Sequence, residues 1–144
     1  MKLTIKKIAE VFVALSDLIV QDKNNRLIFP SAVRIKLAAN MREFKPHFEA
    51  YRESRDELVK TYGVTQANGS IFVPQTSENW PTFKKERDDS DNVELDVTVT
   101  PVTNKELFQP TKKKDADGKT ETEVEHQIDV DVIMHLQDAG ILIP

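Results

Sequence analysis

A chain of 144 residues, 39% apolar and 31% charged, has room for one hydrophobic core, and its apolar positions are too periodic for wholesale disorder. The absence of cysteine excludes a disulfide framework, a thiolate nucleophile and a thiolate zinc site. The net charge of −4 divides unevenly: residues 1–72 hold 12 Lys and Arg against 8 Asp and Glu, and residues 73–144 hold 8 against 16. Differently solvated faces account for this imbalance, and a head-to-tail assembly in which the halves meet is the alternative.

The N-terminus carries Lys2, Lys6 and Lys7, then Glu10 and Asp17 inside an apolar run. Those acids break any signal-peptide core, and no apolar stretch reaches the ~18 residues of a membrane span. We therefore expect a soluble, non-exported chain with no membrane partner.

The first helix is predicted over about Thr4 to Val20. Thr4 is placed to cap it, and Ile5, Ile8, Phe12, Leu15 and Ile19 recur at steps of three and four. Gln21 to Arg26 is the turn, with Asn24 and Asn25 suited to positive φ. So short a connection predicts an antiparallel αα-hairpin.

The second helix organises the chain. Val33, Leu37, Met41, Phe44, Phe48, Tyr51, Leu58 and Tyr62 form one stripe, and Arg55 fills its gap in register. Ser31 can cap this helix, or Pro30 can occupy its first position. Pro46 predicts a kink, because the stripe stays in phase on both sides of it. Gly63 is the expected left-handed stop, with Lys60 near the negative helix end. Roughly 30 residues make a rod of about 45 Å, longer than one domain of this size needs. The stripe from Phe44 to Tyr62 therefore predicts a homo-oligomer through the long helix.

Asn68-Gly69 signals a two-residue hairpin between short strands, the second ended by Pro74. Ser77 to Arg87 reads as a short helix, capped by Ser77 or Asn79, with Trp80 and Phe83 on one face. Val93 to Val99 alternates as a half-buried strand. Thr103 and Glu106 have capping-box spacing. Residues 109–123 are a charged stretch that forms either a protruding hairpin, with a surface turn at Asp117-Gly118, or a mobile loop. Val124 to Val130 alternates as a last strand, Asp129 or Asp131 caps a helix to Ala139, and Ile141 to Ile143 is an apolar tail. The fold class is thus α+β in a single domain, 1–144. Residues 1–63 are a helical hairpin with one long kinked helix, and 64–144 are a small antiparallel β-sheet with short helices.

Motifs of catalysis are missing. There is no G-x-S-x-G, P-loop or G-x-G-x-x-G, and Ser31, Ser54 and Ser77 have no nearby histidine. A calcium loop around Gly118 would place Lys113 and Val124 at its first and twelfth positions, where oxygen ligands are required. A strand would turn Asp129 and Asp131 away from His126, so no metal site is expected. The basic residues of the long helix are interleaved with acids, which argues against nucleic acid as a partner, and the acidic half lacks the excess of a DNA mimic. We expect no enzyme, no cofactor and no catalytic residue. The residue that stands out is Arg55, since an arginine in an apolar seam needs a partner. It pairs with a carboxylate or snorkels to water, or it binds an anion inside a subunit cleft, with Tyr51 one turn earlier and Trp80 or Phe83 as a stacking face.

The order of elements resembles an uncharacterised family of small phage and prophage proteins. The resemblance rests on a Pro-led helix carrying Ala32-Val-Arg-Ile-Lys-Leu-Ala-Ala-Asn40 and on its ending from Glu49 to Gly63, with Thr61 inserted before Tyr62. It covers roughly residues 1–100, and the charged 109–123 stretch departs from it. The resemblance implies a phage accessory protein in the host cytoplasm. Such a protein acts by binding a host factor, for instance a defence protein, or a small anionic signal. The alternative is a virion or assembly component that makes protein–protein contacts.

Overall fold

The structure is a computed structural model that describes residues 1–114 and 118–144. Strand β1 is Lys2–Thr4, and helix α1 follows directly as Ile5–Lys23. Thr4 caps α1 as expected, its hydroxyl accepting from the Lys7 N–H at 3.2 Å. The helix runs one turn beyond Val20, and Asn25 takes the positive φ of 56° that reverses the chain. Helix α2, Ser31–Tyr62, continues through Pro46 without a break. Pro30 stands at its N-cap and Ser31 is its first residue, so neither expected role is filled and no side chain caps this end. Helices α1 and α2 run antiparallel: Asp22 meets Arg34, Ser16 meets Met41, and Phe12 stacks on Phe48 at 4.3 Å.

Gly63 is not left-handed. Its φ is −84°, and the reason for glycine is space. A Cβ there would run into Val59 O and come within 2.6 Å of Ile71 Cγ2. Strands β2 (Val64–Thr65) and β3 (Ile71–Phe72) then pair antiparallel. Their loop has three residues, 67–69, closed by Gln66 N–H donating to Ser70 O. Only Gly69 has positive φ, 85°, so the two-residue turn expected at Asn68-Gly69, which needs it at both positions, does not form.

Helix α3 is Trp80–Asp91, starting later than expected and taking the acidic run as its last turn. Asn79 makes no capping bond, while Ser77 Oγ accepts from the Asn79 N–H. Strand β4 covers only Glu94–Asp96 of the expected Val93–Val99 and pairs antiparallel with β1. Val97 N–H still reaches Met1 O, but there the neighbouring strand has ended. The backbone turns to side chains of α2 instead: Thr98 N–H donates to Glu43 at 2.9 Å, and Thr100 N–H to Asn40 Oδ1 at 2.8 Å.

Strand β5 (Val102–Thr103) leads into α4 (Asn104–Phe108), and the Thr103–Glu106 capping box is complete. The Lys36 ammonium and the Thr103 N–H hold the Glu106 carboxyl below its usual range, against a smaller opposing effect of burial. The charged hairpin forms as β6 (Thr111–Lys114) and β7 (Glu121–Val124), antiparallel. Of its expected turn only Gly118 falls within the described residues, with φ 68°.

Residues 125–129 are not a strand. His126 is buried there, its Nδ1–H donating to Leu107 O at 2.8 Å while its Nε2 accepts from the Ile28 N–H at 3.3 Å. Asp129 caps α5, Val130–Asp138. The apolar tail becomes β8 (Leu142–Ile143), parallel to β5. Among the described residues the strands pair two by two and do not gather into one sheet. One core joins both halves of the chain: Ile8, Leu15, Leu18 and Phe44 pack with Leu107, Leu136 and Ile141, all 1% exposed or less. The fold is α+β, and no described helix is long and apolar enough to cross a membrane.

Candidate functional site

The four residues singled out by sequence do not form one site. Arg55 Nη2 donates to both carboxylate oxygens of Asp91, at 2.8 and 2.9 Å, and its guanidinium lies 5.1 Å from the Tyr51 ring centre. Trp80 and Phe83 belong to another cluster. Arg87 lies 5.6 Å and 5.7 Å from their ring centres, and Tyr62 meets Phe83 edge-on. The stacking faces are therefore occupied by Arg87. Tyr62 donates to Glu86 at 3.0 Å, and that bond and burial raise its pKa. Arg55 lines a cavity of about 150 Å³ with Ser54 and Ser90, too small for most ligands.

A larger concavity lies along the outer side of α1. It is an open groove of about 570 Å³ between α1, the middle of α2 and the start of α5. Helix α1 can supply its floor because it is apolar on two sides. Ile8, Val11, Leu15 and Leu18 face the core. Ala9, Val13 and Ala14 line the groove, with Phe48 and Tyr51 of α2 and Val132 of α5. Val13 is 58% exposed. The stripe Phe48–Tyr51 on α2, which sequence reading assigned to a subunit seam, is thus one wall of this groove.

The rim is charged. Lys6, Glu10 and Asp17 come from α1, and Asp129, Asp131 and His135 from α5. Asp17 accepts from Gln21 at 2.6 Å, and Asp129 accepts from the Asp131 N–H at 2.8 Å. Among the described residues, no basic nitrogen lies within 4.0 Å of Asp17, Asp129 or Asp131. At one end Lys7 reaches Asp138 at 2.9 Å and His135 Nδ1 at 3.1 Å. Glu10 Oε2 lies 3.7 Å from both Lys7 Nζ and His135 Nδ1. Chemically, the groove offers an apolar floor under an acidic rim.

His126, Asp129 and Asp131 do not converge: His126 points to backbone groups and Asp129 is spent on a helix cap. Among the described residues no group of three His, Asp or Glu side chains is placed to hold a metal ion. The groove escaped sequence reading because Val13 and Ala9 look like a widened core face. The usable signal is that Lys6, Glu10, Val13, Asp17 and Val20, at steps of four and three, mark a second mixed stripe on α1. No family model, curated protein or solved structure matches this chain.

Proposed function

We propose that this chain acts by binding and not by catalysis, and that the groove between α1, α2 and α5 is the face it uses. The observation that carries this reading is Val13, 58% exposed on the floor of a concavity of about 570 Å³. That volume lies within the range of ligand sites, ~300–1,000 Å³, and an apolar floor edged by polar groups is a lining such sites use. Together with the resemblance to phage proteins, this supports an accessory role in the host cytoplasm, holding a host protein or sequestering a small signal. Asp91 neutralises Arg55, which moves the support away from an anion at Arg55.

Self-association through the C-terminal half of α2 belongs to the same proposal. Its support is weaker within one chain, since Phe44 is fully buried and Phe48 is stacked on Phe12. What remains is half-buried Leu58 and Tyr62, followed by exposed Val64, Ile71 and Phe72. A single monomer boundary in sedimentation at high micromolar concentration would remove this part.

Native mass spectrometry of the chain recovered from host cells tests the main reading. We expect a retained species that Val13→Glu abolishes. A species retained equally by the variant, or none in either, refutes the groove. The alternative is a virion or assembly component in which the long helix α2 and the charged β6–β7 hairpin make the contacts. Stoichiometric copies in purified particles would favour it.

A further inference from the structure

Resting on the binding reading above, we infer that the groove takes a basic amphipathic helix of a partner protein. Shape comes first. The lining of α1 runs from Lys6 to Asp17, which is about 16 Å or three turns, and the groove is open to solvent. A small ligand gains affinity by burying most of its surface, which an open groove favours less than an enclosed pocket. A helix laid in a groove buries only one face and anchors it at three or four positions spaced by a turn. Beyond the groove the same side of α1 continues to Val20, one heptad after Val13 and 52% exposed, so the track extends to about four turns.

Charge selects the partner. Glu10, Asp17, Asp129 and Asp131 edge the groove against Lys6, and of the four Glu10 is shared with Lys7, at 3.7 Å. Lys or Arg flanking the apolar face of an incoming helix would meet Asp17, Asp129 and Asp131, which among the described residues have no basic nitrogen within 4.0 Å. A second copy of this chain fits badly there. Two grooves facing each other about a two-fold axis would set the same four carboxylates against themselves.

The test uses the full chain and a fluorescein-labelled synthetic peptide of about four turns, with Leu on one face and Lys on the other. A second peptide carries Glu in place of Lys. We expect the Lys peptide to bind the wild-type chain, the Glu peptide to bind at least about tenfold more weakly, and Val13→Glu to weaken the Lys peptide by about tenfold or more. Val13→Glu is decisive because it adds negative charge while spoiling the floor. General attraction between a basic peptide and an acidic protein would strengthen, whereas seating in the groove weakens. Asp17→Lys with Asp131→Lys should also weaken binding, and unchanged melting of each variant shows that the fold is intact.

Val13→Glu binding as tightly as wild type overturns the inference, as does equal binding of the two peptides. Binding of dodecylammonium at this face without binding of the peptide replaces the helix by a small amine. Self-association that Val13→Glu abolishes gives the groove to a second copy. Where the retained cellular species depends on Val13 but the Lys peptide does not bind, the binding face stands and only the basic helix is rejected.

Discussion

Arg55 of α2 holds Asp91 through a single nitrogen, Nη2, which donates to both carboxylate oxygens. Asp91 is the last residue of α3, where the negative end of the helix makes a carboxylate unwelcome. Its side chain is only 11% exposed, so water cannot replace the arginine. Arg55→Met keeps most of the stem's packing and removes the charge. We expect a loss of about 1–3 kcal/mol, below the cost for a fully buried pair because the arginine is 30% exposed. Asp91→Asn added to that variant should recover part of it. A rise in melting temperature for Arg55→Met would show that the cation was uncompensated and would return Arg55 to the list of ligand residues.

The same device ties α1 to α2. Asp22, in the last turn of α1, accepts from the Phe29 N–H at 3.0 Å and from Arg34 Nε and Nη2 at 2.7 and 2.9 Å. Burial pushes its carboxyl up, but the Arg34 and Phe29 hydrogen bonds outweigh that, and its pKa lies below the ordinary 3.8. The unfolded chain therefore binds this proton more readily than the folded one. The stabilisation is complete above pH 3.8 and is lost as pH falls through the folded value. Urea unfolding of wild type and Asp22→Asn should differ by a constant amount, about 1–3 kcal/mol, at mildly acidic to neutral pH. The difference should shrink below about pH 4. A gap that widens on acidification contradicts the assignment.

Local rules in the sequence carried far. Thr4, Asn25, the Thr103–Glu106 box and Asp129 all do what their side chains imply, because each acts on backbone within a few residues. What escaped depends on partners distant in sequence. Lys2–Thr4 becomes a strand only beside residues 94–96, and Leu142–Ile143 only beside residues 102–103. The stripe on α2 was legible, but not that Phe12 would cover Phe48. Arg55 was legible as a residue in need of a partner, while the groove was not, since an apolar second face on a helix looks the same whether another helix covers it or water does.

Gly63 shows how a correct residue can be read for the wrong reason. Its backbone φ of −84° suits any amino acid, so only crowding demands glycine. Both Val59 O and Phe72 O, the latter 3.0 Å from a built Cβ, are backbone and cannot swing aside. Gly63→Ala should cost about 1–3 kcal/mol, the range of overpacking, and should loosen β2–β3 against the end of α2. Amide exchange at residues 64–72 reports the second effect. A variant as stable as wild type, with unchanged exchange, would mean that the contact relaxes freely.

Asn40 makes the most exacting contact in the molecule. It is fully buried on α2, and its side-chain amide pairs with the Thr100 backbone as a neighbouring strand would. Oδ1 accepts from the Thr100 N–H at 2.8 Å, and Nδ2 donates to Thr100 O at 2.8 Å and to Lys36 O at 3.0 Å. One side chain thus satisfies both polar groups of a residue whose strand has run out of partners. Asn40→Leu is close in size but leaves the Thr100 N–H and carbonyl unpaired. At about 1–3 kcal/mol for each unsatisfied buried group, we expect a loss of about 2–4 kcal/mol. Asn40→Asp separates the two bonds. A carboxylate still accepts from the Thr100 N–H but has no hydrogen for the two carbonyls, and it buries a charge with no cation bonded to it. It should be at least as damaging as leucine near neutral pH and should recover on acidification, when the protonated acid can donate once more. Chemical denaturation of the three proteins at neutral and mildly acidic pH measures this order. An aspartate variant insensitive to pH, or a leucine variant as stable as wild type, would mean that water reaches Thr100 and that the amide is not its partner in solution.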